Sequence, residues 1–119
     1  MDTKTTQDQI DAMREMARTL ETNPLVRAAH IDDWGRFGNF TLMVTPQQHT
    51  AQTTTRLKAL VKKSLPPGAM LRQFFSPDPC YERGYAGQKR LIGYSRTFWT
   101  FDIDYMHYDA QQNQFFDSN

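Results

Sequence analysis

The sequence predicts an α+β domain, a two-layer sandwich with two helices on one face of a four-stranded antiparallel or mixed sheet. Two segments repeat apolar residues at the 3.6-residue period of an amphipathic helix, and four segments have strand character. Their order along the chain is α-β-β-α-β-β, which favours hairpin-connected strands in one sheet that both helices cover on the same side. The 119 residues, 39% of them apolar, are enough for a single domain with one core.

The first helix is predicted to start at a capping box in residues 6–9, where the hydroxyl of Thr6 and the side chain of Gln9 satisfy amides of the first turn. We expect it to end at Asn23, because the proline that follows pushes this residue out of the α region. The apolar stripe between these two points consists of Ile10, Met13, Ala17 and Leu20.

The next two strands are predicted over residues 25–34 and 40–45, and the Gly-Arg-Phe-Gly-Asn sequence of residues 35–39 supplies a hairpin connection. Successive residues of a strand point to opposite faces of the sheet. On this rule the core receives Ala29, Ile31, Phe40, Leu42 and Val44, whereas Ala28, His30 and Asp32 face the other way.

The second helix is predicted to begin at residues 45–48, Thr-Pro-Gln-Gln, which combine a cap hydroxyl with proline at the first helical position. Its apolar positions are Leu57, Leu60, Val61 and Leu65. The Pro-Pro-Gly sequence of residues 66–68 ends it, and a third strand is predicted over Ala69–Phe75.

The last part of the domain is predicted to contain a long loop and a long extended segment. Residues 77–90 are rich in Pro, Gly, Tyr and Arg, and a loop of this length in a small domain is typical of a functional surface. Residues 91–108 are β-prone throughout, with Gly93 as a bulge, and at roughly 60 Å of extended chain they must bend or project past the sheet. Their core face is predicted to be Thr97, Trp99, Phe101, Ile103 and Tyr105. We therefore assign residues 1–109 to the domain and residues 110–119 to a frayed polar tail.

Charge is distributed unevenly along the chain, although the net charge is only +1. Residues 56–96 contain nine basic and two acidic side chains, a local charge of +7, whereas residues 97–119 contain four acidic side chains and no basic one. A cationic segment of this kind attracts phosphate and carboxylate groups. It is also compatible with an ordinary solvated surface.

Aromatic and basic side chains alternate within the cationic segment, which is the pattern of surfaces that stack bases and neutralise phosphates. The leading prediction is a small non-enzymatic binding module for nucleic acid, with single strands favoured. The predicted contact residues are Arg72, Tyr81, Arg83, Tyr85, Lys89, Arg90, Tyr94 and Arg96, and Lys62 and Lys63 extend this track if the last strands pair with Ala69–Phe75. Four aspartates, Asp102, Asp104, Asp109 and Asp117, are expected to fold back on the track as competitors.

A protein-interaction subunit is the first alternative, most simply a homodimer that uses the open sheet face, since tyrosine and arginine are also enriched in protein interfaces. The third reading is a small metal-binding protein or enzyme. It rests on pairs spaced by two residues, His30 with Asp32 and His107 with Asp109, because alternate strand residues share a face. No nucleophile elbow, phosphate loop or dinucleotide fingerprint occurs, so we assign no catalytic residue, metal ligand or cofactor.

The composition also bears on location. The chain has no apolar run near the roughly 18 residues that a membrane span requires, and residues 1–9 lack the apolar region of a secretory signal. The one cysteine, Cys80, cannot form an internal disulfide, which suits a reducing compartment. We therefore expect a cytoplasmic protein without membrane contact.

Overall fold

The computed structural model describes residues 7–33, 38–109 and 114–117, and within them it shows an α+β fold in the predicted order. Its helices are α1 (Gln7–Glu21) and α2 (Thr53–Ser64). Its strands are β1 (Val26–Asp33), β2 (Asn39–Pro46), β3 (Ala69–Phe75), β4 (Pro79–Arg83), β5 (Lys89–Tyr94), β6 (Trp99–Asp109) and β7 (Gln114–Asp117). The predicted capping box and the first hairpin connection fall partly outside the described residues.

The main sheet has the antiparallel strand order β1-β2-β6-β3. It consists of two α-β-β units whose second strands, β2 and β6, pair in the middle. Neither described helix has the length and apolar character that a membrane-spanning helix needs. Strand β7 pairs with the far end of β6, from Met106 to Asp109. Residues 114–117 are therefore part of a strand pair, whereas the sequence predicted a frayed tail.

The core lies between the sheet and the two helices. Both helices turn their predicted apolar stripes toward the sheet. Helix α1 buries Met13, Met16, Ala17 and Leu20, so Met16 is an addition to the predicted stripe. Helix α2 buries Leu57 and Val61. From the sheet, the fully buried side chains are Val26, Phe40, Leu42, Val44, Trp99, Phe101 and Ile103. The alternation read from the sequence therefore identified the buried face of the two central strands.

The inward face of β1 is also as predicted. Ala29 and Ile31 are partly buried against the core, and they lie opposite Val44 and Leu42 of β2. The prediction for Thr97 is wrong, since this residue is exposed and β6 begins two residues later, at Trp99. The buried face of β6 therefore starts with the indole of Trp99.

The predicted start of α2 is wrong by seven residues, since Pro46 was the predicted first helical residue and the observed one is Thr53. Pro46 is the last residue of β2, opposite Val26, and the amide of Gln47 still donates to the carbonyl of Leu25 at 2.9 Å. Pairing with β1 thus keeps this segment extended. The helix begins at Thr53, whose buried hydroxyl accepts a hydrogen bond from the Thr50 amide at 2.7 Å. A threonine run that weakens a helix interior therefore stands at the helix start, where a hydroxyl is favourable.

The segment predicted as a loop over residues 77–90 is a β-hairpin instead. Strands β4 and β5 pair with each other and are joined by a 3₁₀ turn at Tyr85–Gly87. The register shifts where Cys80 lies opposite Gly93 and Tyr81 lies opposite Leu91, which places a bulge at Ile92, beside the predicted position. The long extended segment is also divided, because residues 95–98 separate β5 from β6.

Candidate interaction arm

The hairpin of residues 79–94, called the arm here, stands apart from the main sheet. It forms a two-stranded sheet of its own, inserted between the neighbouring strands β3 and β6. Every residue of it except Gly93 is exposed, and Tyr85 at the tip is 95% exposed. An isolated two-stranded hairpin is marginally stable in water, so an arm of this kind gains most from a partner.

Ring stacking fastens the root of the arm to the domain. The imidazole of His49, in the β2–α2 connection, stacks on the Tyr94 ring with 3.4 Å between centroids. It also meets the buried indole of Trp99 edge-on at 4.6 Å. The last aromatic residue of the arm is thus connected through His49 to the hydrophobic core.

Hydrogen bonds hold the same root. The amide of Ser95 donates to the Asp78 carbonyl at 2.8 Å, and the amide of Asp78 donates to the Ser95 hydroxyl at 2.9 Å. The guanidinium of Arg96 donates to the carbonyls of Phe98 at 3.0 Å and Phe75 at 3.2 Å. The root is therefore fixed while the tip extends into solvent.

The two faces of the arm differ in chemistry. Register pairs Tyr81 with Leu91 and, two residues nearer the tip, Arg83 with Lys89, so these four side chains share one face, called the basic face here. Among the residues that the structure describes, neither Arg83 nor Lys89 has an acidic partner. The opposite face carries the ion pair of Arg90 with Glu82 at 3.2 Å. The basic face therefore holds the free positive charge of the arm.

The predicted nucleic-acid residues divide into three groups. Six of them lie on the arm: Tyr81, Arg83, Tyr85, Lys89, Arg90 and Tyr94. Arg96 lies at the root, where its guanidinium is engaged with backbone carbonyls. Arg72 lies on β3, where it binds the buried carboxylate of Asp104 at 2.8 Å.

The cationic segment does not form one track. Strands β3 and β6 do pair, as the extension of the track required, but Lys62 and Lys63 lie in the last turn of α2, on the helical side of the sheet. Arg72 belongs to the other side, beside Asp104. Of the aspartates expected to fold back on the track, Asp104 binds Arg72, one of the predicted contact residues, whereas Asp102 accepts from Gln73 at 2.6 Å.

The sheet face that the helices leave uncovered, called the open face here, is acidic at one row and apolar at the next. One row across it contains Asp32, Thr41 and Asp102. The neighbouring row contains His30 and Met43, beside a depression of about 240 Å³ that Ala28, Met43 and Phe98 help to line.

The histidine and aspartate pairs do not converge on one site. His30 contacts Asp32 at 3.0 Å, with both side chains exposed. His30 shares its row with Thr100, and His107 lies seven residues further along β6, a distance of roughly 23 Å along the strand. Within residues 7–33, 38–109 and 114–117, no group of three His, Cys, Asp or Glu side chains is placed to hold a metal ion.

The sequence reasoning missed two sets of residues. On the arm, Leu91 and Ile92 are 46% and 58% exposed, and the sequence analysis assigned them no role beyond strand propensity. His49 was assigned no role, yet it connects the arm to the core. No local signal identifies such a histidine, because its two ring partners are 45 and 50 residues away in the sequence.

We expect His49 to titrate below its usual pKa of 6.5, because partial burial at the arm root disfavours the charged imidazolium. Its contribution to stability is therefore present above pH 6.5 and declines as the pH falls through the lowered pKa. An NMR titration of the imidazole resonances measures the midpoint. Tyr94→Ala removes the stacked ring and should return the midpoint toward 6.5, while Tyr85→Ala at the tip should leave it unchanged. Equal midpoints in the wild type and Tyr94→Ala would contradict the assignment.

The chain matches no known protein-family model and has no significant match among curated proteins. Its fold class is α+β, and the class of site is an exposed, fastened β-hairpin with aromatic, aliphatic and basic side chains.

Proposed function

We propose that this protein is a non-enzymatic interaction module that binds another protein through its arm. The observation that carries the proposal is the exposure of large apolar side chains on a projecting hairpin, above all Tyr81 at 55%, Ile92 at 58% and Tyr85 at 95%. A group of exposed large apolar side chains on one hairpin is typical of interaction sites rather than of free monomer surface.

The composition of the arm supports a protein partner. Tyrosine and arginine dominate the energetics of protein interfaces, while lysine and glutamate are depleted there. The arm has three tyrosines, two arginines, a leucine and an isoleucine, but only one lysine and one glutamate. Because stacking and hydrogen bonds already fix its root, this part of the arm would lose little freedom on binding, which favours affinity.

Single-stranded nucleic acid is the second candidate, and the basic face favours it. Tyr81 there offers a ring for a base, and Arg83 and Lys89 offer two charges for phosphates. A site of this kind would weaken steeply with salt. The aliphatic side chains Leu91 and Ile92 favour the protein partner, because they offer neither an aromatic platform nor a charge.

Photocrosslinking from the arm in the expressing cell tests the proposal and identifies the class of partner. A photoreactive phenylalanine analogue replaces Ile92 in one full-length variant and Lys62 of α2 in the matched control. We expect an adduct from position 92 that resists nuclease and is destroyed by protease, with none from position 62. A nuclease-sensitive adduct would establish the nucleic-acid candidate instead. No adduct from position 92 would reject both.

We also propose a cytoplasmic location. Cys80 is a free and exposed thiol on the arm. Exposed thiols of this kind persist in a reducing compartment and are readily oxidised outside one.

A further inference from the structure

We propose that the arm binds a second copy of this chain, with its basic face on the open face of that copy's main sheet. This inference rests on the proposed function, because it names the protein that the arm binds. The contact is reciprocal, so that each copy offers one arm and accepts one, as a two-fold symmetric dimer requires.

The arm presents two chemical groups in a fixed order. Nearer the root is the apolar pair of Tyr81 and Leu91, and two residues nearer the tip is the cationic pair of Arg83 and Lys89. Two residues of a strand span about 6.7 Å. The basic face is therefore an apolar patch followed, about 6.7 Å further on, by a positive patch.

The open face presents the complementary groups in rows at the same spacing. The apolar depression extends from the row of His30 and Met43 toward Ala28, Thr45 and Phe98. The acidic row of Asp32 and Asp102 lies on the other side of Met43, two residues along the strands and about 6.7 Å from the near edge of the depression. A ring from the arm can thus enter the depression beside Met43 while the two cations reach the two carboxylates. The apolar contact and the charge contact can therefore form at the same time.

The basic face of the arm and the open face of the main sheet carry charges of opposite sign. Arg83 and Lys89 face no acidic group on their own arm, whereas the carboxylates of Asp32 and Asp102 lie on the main sheet. Like charges repel when two arms meet, and the same holds for two open faces. The arm of one copy and the open face of another attract each other, and this electrostatic complementarity selects the pairing.

Sedimentation velocity with charge-reversed variants tests the pairing on the full chain. The arm variant is Arg83→Glu with Lys89→Glu, and the face variant is Asp32→Lys with Asp102→Lys. Each variant alone makes both contacts of its own dimer repulsive, so we expect the dimer dissociation constant to rise by about tenfold or more. An equimolar mixture of the two restores attraction at both contacts, so it should form a heterodimer close to wild-type affinity.

The controls address folding and non-specific charge. Lys62→Glu with Lys63→Glu on α2 makes the same change in net charge and should leave the dimer intact. Because Asp102 accepts hydrogen bonds from Gln73 and Thr41, Asp32→Lys alone serves if the double face variant does not fold. Circular dichroism confirms the fold of each variant.

A chain that remains monomeric at all concentrations overturns the second copy as partner, as does a dimer that the arm variant leaves unchanged or a mixture that stays monomeric. Failure of the proposed function is a separate result, since it requires that position 92 gives no protein adduct in the cell. An adduct with a different protein, together with a monomeric chain, would retain the function and reject the second copy.

Discussion

Trp99→Ala is expected to lower the free energy of unfolding by about 4 kcal/mol, in the range for removing a buried aromatic side chain. Trp99 is 1% exposed at the start of β6, and its indole N–H donates to the Thr54 hydroxyl at 3.0 Å. A domain of this size is typically stable by about 5–15 kcal/mol, so this loss is a large part of the total. Urea unfolding followed by circular dichroism measures it.

The same substitution should also loosen the arm, because the indole supports His49, which stacks on Tyr94. Hydrogen exchange of the arm amides should therefore rise more in Trp99→Ala than global destabilisation alone explains. Tyr85→Ala is the matched control, since it removes an aromatic ring that is 95% exposed and should change stability by no more than about 0.5 kcal/mol. Similar losses for the two variants would show that the indole does not have this structural role.

Arg72→Ala is expected to cost about 3 kcal/mol, because it leaves the buried carboxylate of Asp104 without its guanidinium. The side chain of Asp104 is 4% exposed, and the contact joins β3 to the central strand β6 across 2.8 Å. Thermal and urea unfolding of the variant measure the loss.

Two comparisons separate this effect from the loss of an arginine as such. Arg90→Ala removes an ion pair with Glu82 that lies in solvent, so no measurable loss is expected. The double variant Arg72→Met with Asp104→Asn removes both charges together and should be less destabilised than Arg72→Ala. If the double variant is the less stable of the two, the buried charge is not the cause.

The sequence predicts strands well where one face of the strand is buried and the other is exposed. Strand β3 has the predicted bounds, Ala69–Phe75, and alternation correctly separated the buried and open residues of β2. Strand β2 has the core on one side and the open face on the other, so burial leaves a period of two in its residue types, whereas β3 was delimited by the proline and glycine residues that flank it.

The hairpin of the arm could not be predicted, because its two strands lack this difference between their faces. Both faces of β4 and β5 are exposed, so no apolar alternation distinguishes a two-stranded ribbon from a loop. The start of α2 is ambiguous for another reason. The sequence of residues 45–48 satisfies the rules for a helix cap, and only its pairing with Leu25 and Val26 of the first hairpin keeps it extended.

The candidate site was predictable as a set of residue types but not as a surface. Most of the interleaved tyrosine and basic residues fall in the segment that forms the arm, which the sequence predicted as a loop. The sequence did not show that Arg72 binds a carboxylate 32 residues away, nor that Lys62 and Lys63 lie on the helical side. Both facts depend on tertiary pairing, which a local pattern does not contain.

The insertion of the arm between two paired strands has an evolutionary consequence. Strands β3 and β6 are neighbours, so the two ends of the insertion are held about 4.8 Å apart whatever hairpin connects them. The scaffold therefore tolerates changes in the length and side chains of the inserted ribbon, provided that the contact of Tyr94 with His49 at its root is kept. Related chains can be expected to vary most in this ribbon, and a transplanted hairpin with closely spaced ends should be accepted at the same junction.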